Sequence, residues 1–314
     1  IGVYNHIYRI FNINQINCYA VPWVETKNDH GDLDIIVNET KEKVREILKT
    51  TGLMIEKSTT NDIVISMPYD LGNGKLLQVD LICTPDSNWT RFFYSGGDFG
   101  LYMGRVCSAN GLVFATDGLR LRADPKINWM KDVTLTTDPS KYLSIMGYDI
   151  PPRFKTEEDL WKYVLSSNFS KPWMFKPHST NSENRSRDKQ RPAVQRFQNW
   201  LKNIPENDTI QEKWTHKQAF DFACRNFDKI EQEYADQQSE FNLHKDINAI
   251  FGAATIRKIL PNVTPEQIKI IIKDMQQMLP PKHKRFELYK YNTDIAQEIA
   301  TTAAKIAITK HQLV

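Results

Sequence analysis

Short apolar runs separated by turn residues fill roughly the first 125 positions and predict a mixture of strands and helices. Residues 32–37, Asp-Leu-Asp-Ile-Ile-Val, read as a strand. Thr40 to Thr50 then sets Val44, Ile47 and Leu48 at helical spacing among charges, and Gly52 follows as a stop. Asp62–Met67 alternates like a strand, Leu71 to Gly74 supplies a turn, and Leu76–Ile82 returns, so the two form a hairpin. After Ser95-Gly96-Gly97-Asp98 a helical stretch runs to Gly111, and Leu112–Arg122 predicts another hairpin turning at Asp117-Gly118.

Pro151-Pro152 marks a boundary. Beyond it, Thr156–Ser166 opens with the capping-box pattern T-E-E-D and carries Leu160, Tyr163 and Val164 as its apolar positions. Residues 176–190 are rich in Ser, Asn and charge and predict a mobile loop. From Pro192 onward the pattern is helical, over 194–201, 217–234, 246–260, 265–278 and 293–310. The expected class is α+β. A mixed sheet with flanking helices occupies 1–150, followed by a mostly helical region at 151–314 with a basic loop at 176–192.

Composition changes this picture little. At 314 residues, with 40% hydrophobic and 25% charged positions, a packed core in one or two domains is expected. A net charge of +3 is too small to imply nucleic-acid binding by itself. Cys18, Cys83, Cys107 and Cys224 make no C-x-x-C pair, which argues against structural zinc and a disulfide framework and for a reducing compartment. No run of eighteen apolar residues exists, so no membrane segment is expected. Because the chain opens at Ile1 rather than Met, residues are expected to be missing before it.

The chemistry concentrates in three aspartates. Residues two apart on a strand share a face, so Asp32 and Asp34 project together while Leu33 points into a core. Like charges side by side are costly to bury, and a divalent cation resolves the conflict. Asp80 stands inside another apolar strand, Q-V-D-L-I, where a charge needs a reason. Oxygen-only ligands favour Mg²⁺ or Mn²⁺, and two such ions can activate an attacking hydroxyl and stabilise a leaving pyrophosphate. Gly31, without a side chain, lets a phosphate approach the strand start.

These residues resemble the nucleotidyltransferase superfamily typified by DNA polymerase β, poly(A) polymerases and CCA-adding enzymes. Its acidic pair and third carboxylate match Asp32, Asp34 and Asp80. Most members also carry a Gly-Ser pair about ten residues earlier, which holds the triphosphate. Here Val21-Pro22-Trp23-Val24-Glu25-Thr26-Lys27 stands instead, similar to a branch encoded by phages and large DNA viruses. Tyr94 to Gly100 with Gly104, Thr116 to Leu119, Phe154-x-Thr156-x-Glu158, Asn184-Arg185 and Phe251-Gly252 extend the likeness.

The resemblance implies transfer of a nucleotide from an NTP or dNTP to an acceptor hydroxyl, on a nucleic acid, with localisation in a host cytoplasm. Asp32 and Asp34 would coordinate both ions, and Asp80 the one that activates the acceptor. Lys27 is the candidate substitute for the absent Gly-Ser pair, against a plain exposed lysine. The Gly96-Gly97 turn could offer backbone N–H groups to a phosphate, or be only a turn before a helix. Arg185, Arg187 and Arg191 lie in the densest basic stretch, with Arg196 and Lys202 beyond; their forks suit phosphate oxygens, and a solvated helix face is the plainer alternative.

Several features carry less. Asp98-Phe99-Gly100 mimics a kinase motif by chance, because no catalytic-loop H-R-D accompanies it. His30 reads as a loop residue, Trp161, Trp173, Trp200 and Trp214 as packing, and Pro280 to Arg285 as a basic linker. A catalytically degenerate scaffold that binds nucleic acid is the alternative to the enzyme, and a metal-dependent nuclease a third.

Overall fold

In the computed structural model, residues 2–22, 24, 32–53, 57–58, 63–72, 74–127, 130–176, 182–205 and 212–311 are described. The chain opens with helix α1 (Gly2–Ile13), followed by β1 (Cys18–Ala20), β2 (Asp32–Val37), α2 (Lys41–Thr50), β3 (Lys57–Ser58), β4 (Val64–Asp70) and β5 (Leu76–Cys83). The five strands form one sheet in the order β1-β2-β5-β4-β3. The β2–β5 pair is parallel and the other three pairs are antiparallel, so the sheet is mixed. Strand periodicity sends Ile35, Val37, Val79, Leu81, Ile65 and Met67 to one face, where they meet Ile7 and Phe11 of α1 and Val44, Ile47 and Leu48 of α2. Thr40 caps α2 by accepting from the Lys43 N–H, and Gly52, at φ +71°, turns the chain after it.

A second core forms from α3 (Ser87–Phe93), α4 (Phe99–Ala109), the antiparallel strands β6 (Leu112–Ala115), β7 (Gly118–Leu121) and β8 (Val133–Thr136), then α5 (Pro139–Ile145), α6 (Glu157–Val164), a 3-10 turn at Pro172–Phe175, α7 (Ser182–Lys189), α8 (Pro192–Leu201) and α9 (His216–Asn226). Trp89 is fully enclosed there, and its indole N–H donates to the Ala115 carbonyl at 2.7 Å. The remainder is α10 (Ile230–Ile250), α11 (Ala253–Ile259), α12 (Pro265–Met278), α13 (Lys282–Tyr291) and α14 (Thr293–Lys310). Ile247, Phe251, Ile256, Ile271 and Met275 pack there with the alanine face of α14.

The chain is therefore α+β, with a mixed sheet, flanking helices and many helices beyond. Packing divides it into two compact units, residues 1–124 with 132–230 and residues 125–131 with 231–314. The contacts thus part near 230, and the helices from α6 to α9 pack in the unit that holds the sheet.

Other expectations need correction. Residues 182–189 are helical, not a mobile loop, because Asp188 is buried against Arg105 at 2.5 Å and fixes the segment. The helix expected over 217–234 breaks at Phe227, with Lys229 at φ +64°. That over 246–260 breaks at Gly252, where a Cβ would lie 2.3 Å from the Asn248 carbonyl oxygen. Pro280 to Arg285 is no solvated linker: α13 begins at Lys282, and Arg285 is buried. In the second hairpin the two-residue loop is Thr116-Asp117, since Ala115 pairs with Gly118. The sequence reading missed α1, although Val3, Ile7, Ile10 and Phe11 stand at helical spacing, and it missed α3, α5 and the strands β1, β3 and β8, which are too short for a clear period.

Cys18, Cys83, Cys107 and Cys224 are free thiols, and burial pushes Cys18 up to about 11 and Cys83 and Cys107 up to about 12. No described helix is long and apolar enough to cross a membrane.

Ile35 is fully buried on the helix-covered face of the sheet, whereas Ile13 is 80% exposed. Ile35→Ala is expected to lower unfolding stability by about 2–5 kcal/mol and Ile13→Ala by under about 0.5 kcal/mol, measured by urea denaturation.

Candidate metal centre

The face of the sheet opposite α1 and α2 carries the carboxylates. The alternation that buries Ile35 and Val37 on one side sends Asp32, Asp34 and Ile36 to the other, and the same rule places Asp80 with Ile82. Register then decides the contact. In the parallel β2–β5 pair Asp34 stands opposite Asp80 and Asp32 opposite Gln78. Carboxylate oxygens of Asp32, Asp34 and Asp80 all lie within 4.8 Å of one another, the first side chain exposed and the other two half-buried.

Like charges at such range repel by about 1 kcal/mol per pair even in water, and more where solvent is partly excluded. Gln78 offsets part of this by donating its amide to both Asp80 oxygens at 3.1 Å. Three carboxylates at this spacing make a donor set that fits a hard divalent cation bound by oxygen.

Beyond the carboxylates, Val21, Ile36 and Ile82 make a small apolar cluster against which Tyr94 packs. Burial first, then the charges of Asp34 and Asp80, pushes the Tyr94 phenol up to about 12. It stays protonated at neutral pH and can donate a hydrogen bond but not act as a base. Two residues on, Gly96 takes φ +71° and its N–H donates to the Pro22 carbonyl at 3.1 Å, tying the turn to the chain just past β1. A Cβ on Gly96 would sit 2.7 Å from the Phe154 ring, so both backbone angle and space require glycine.

The same turn opens onto a cavity of about 640 Å³. Gly97, Asp98 and Tyr102 line it on one side, and Trp161, Arg191 and Arg196 on the other. Both arginines are paired: Arg191 stands 3.5 Å from Asp98, and Arg196 donates through Nε and Nη2 to Glu157 at 2.7 and 2.6 Å. Tyr102 is almost wholly buried, and its hydroxyl meets no partner at full hydrogen-bond geometry among the described residues.

Asp32, Asp34 and Asp80 are thus brought together, and Gly96, Gly97 and Arg191 meet at one cavity. The Gly96 N–H is spent on Pro22, which leaves less of that turn for an anion than its sequence suggests. Arg185 and Arg187 are exposed on α7 and do not line the cavity. Lys27, His30 and Gly31 fall outside the described residues. Trp161 and Trp173 are buried and Trp200 and Trp214 half-buried, all packed into the second core, although Trp161 also walls the cavity.

Sequence reasoning gave no site role to Gln78, Glu157 and Tyr102, and named Tyr94 only within the likeness over Tyr94 to Gly100. Gln78 had a signal, since it lies two residues before Asp80 on a strand. Glu157 and Tyr102 had none for this role, because it comes from long-range contacts.

No family model matches this chain, and no curated protein matches it. Among solved structures, the Leishmania infantum polymerase beta ternary gap complex aligns at 14% identity and TM-score 0.33, over 51% of this chain and 63% of that one. The Leishmania infantum polymerase beta ternary P/T complex aligns at 14% identity and TM-score 0.32, over 51% of this chain and 68% of that one. At such scores the functional reading rests on the residues themselves.

Asp34→Asn is expected to abolish stabilisation by added Mn²⁺, read as the shift in melting temperature.

Proposed function

We propose that this chain is a metal-dependent nucleotidyltransferase. In the reaction, an acceptor hydroxyl attacks the α-phosphate of an NTP or dNTP; the new O–P bond forms as the α–β bridge breaks and pyrophosphate leaves. The single observation that supports the reading is the facing pair Asp34–Asp80, with Asp32 beside it, on adjacent parallel strands. These three would hold the ions, Mg²⁺ or Mn²⁺, whose contribution when bound is to acidify the attacking hydroxyl and offset charge on the leaving group.

The protein's own part is orientation. Gln78 restrains Asp80 through its two contacts, so the carboxylate meets a ligand without reorganising. Arg191 can exchange Asp98 for a phosphate oxygen, and Arg196 can do the same with Glu157, because both arginines are ion-paired at the cavity wall. Arg185, Arg187, Lys27 and the Gly96-Gly97 turn remain candidate phosphate contacts on sequence grounds. A nucleic-acid acceptor and membership of the phage and large-virus branch likewise rest on the sequence likeness, part of whose Val21–Lys27 motif lies outside the described residues.

The test is incorporation of each labelled NTP and dNTP onto RNA, DNA and protein acceptors with Mg²⁺. Asp32→Asn, Asp34→Asn and Asp80→Asn are each expected to lower incorporation by at least about 10²-fold. Unchanged incorporation in all three would sink the reading, and absence of both turnover and metal binding in folded wild type would favour a nucleic-acid-binding scaffold. Arg191→Ala is expected to raise KM for the nucleotide about tenfold with a smaller change in kcat, measured by steady-state kinetics.

A further inference from the structure

The second compact unit contains a buried cation whose hydrogen-bond partners among the described residues are neutral. Arg285 on α13 is only 8% exposed. Its Nε donates to the Pro280 carbonyl at 2.5 Å and its Nη1 to the Gln276 amide oxygen at 2.6 Å, both neutral acceptors. The Phe251 ring centroid lies 6.0 Å from the guanidinium carbon. Burial pulls the group below its ordinary pKa. A guanidinium held this way is costly, because neutral oxygens and a ring face recover only part of its lost hydration.

Arg285 also lines a cavity of about 670 Å³. Ile247, Phe251 and Ile272 supply apolar wall, while the exposed Glu240 and Glu287 stand among the lining residues. The volume is in the range of small-molecule sites. With Nε and Nη1 engaged, Nη2 is the edge left for a ligand. The two glutamates disfavour any ligand with more than one negative charge, since polyphosphates and nucleic-acid strands bring several.

We propose that this cavity binds a small organic monoanion, a single carboxylate on a flat apolar body, with the carboxylate on Arg285 and the body against Phe251, Ile247 and Ile272. The site lies wholly within residues 231–314 and does not depend on the reading of the three aspartates. Such a ligand gives the guanidinium a charged partner in addition to its neutral ones, and the apolar body packs against the apolar wall.

Phenylacetate is the probe, titrated into the full chain by calorimetry and two-dimensional NMR. 2-Phenylethanol serves as the neutral counterpart, and inorganic phosphate and AMP as more highly charged anions. Saturable binding of one phenylacetate per chain is expected, weakened at least about tenfold in Arg285→Met and less in Arg285→Lys. Ile272→Trp, which fills the cavity but keeps the guanidinium, is expected to lose binding as well, and it decides the matter if Arg285→Met fails to fold. The proposal is overturned if phenylacetate does not saturate, if 2-phenylethanol binds equally well, if phosphate or AMP binds in its place, or if neither folded variant weakens it.

Discussion

The candidate site depends on one pairing, the parallel register of β2 against β5. A one-residue slip would turn Asp80 to the helix-covered face and bring an apolar residue opposite Asp34. That slip is prevented by the opposite side of the same strands. Ile35, Val37, Val79 and Leu81 fill the space under α1 and α2, and none can turn outward without exposing apolar area. The carboxylates are therefore held close by a core they do not touch. Their mutual repulsion is borne by the burial of the residues between them.

Electrostatics elsewhere follow two patterns. At the cavity beside Tyr94 the arginines are exposed or half-exposed and ion-paired, Arg191 to Asp98 and Arg196 to Glu157. Such pairs contribute little to stability and are readily exchanged for a stronger anion. The Arg105–Asp188 pair differs. Both partners are 8% exposed, so neither can leave without stranding the other, and the pair fastens α7 to α4. One group of arginines is available to ligands and the other serves structure, a distinction made by burial, not residue type. Arg285 belongs to neither group, being buried with neutral hydrogen-bond partners among the described residues.

Much of the first sheet was legible because its main strands are short apolar runs bounded by turn residues and α2 is capped. Asp32–Val37, Lys41–Thr50 and the β4–β5 hairpin follow from period and turn residues alone. The capping box before α6 was equally plain, with Thr156 and Asp159 satisfying each other's backbone N–H. Segments whose signal failed are those stabilised from outside. α7 is polar around its circumference and owes its position to Asp188 meeting Arg105, 83 residues away in the chain. The breaks at Phe227 and Gly252 interrupt apolar patterns that run on across them, so periodicity joined what the backbone divides.

By itself the sequence determined the identity of the three acids, the face on which each lies within its own strand, and the chemistry that oxygen ligands favour. Those are local properties, set by side-chain period and atom type. Only the tertiary structure decided that Asp34 faces Asp80 and that Tyr94 lies beside both. It also separated Arg191 and Arg196 from Arg185 and Arg187, which a basic run in sequence cannot do. The reason is physical. Which strand neighbours which, and which arginine meets an acid, follow from how apolar surfaces close over one another, and that closure is a property of the whole chain.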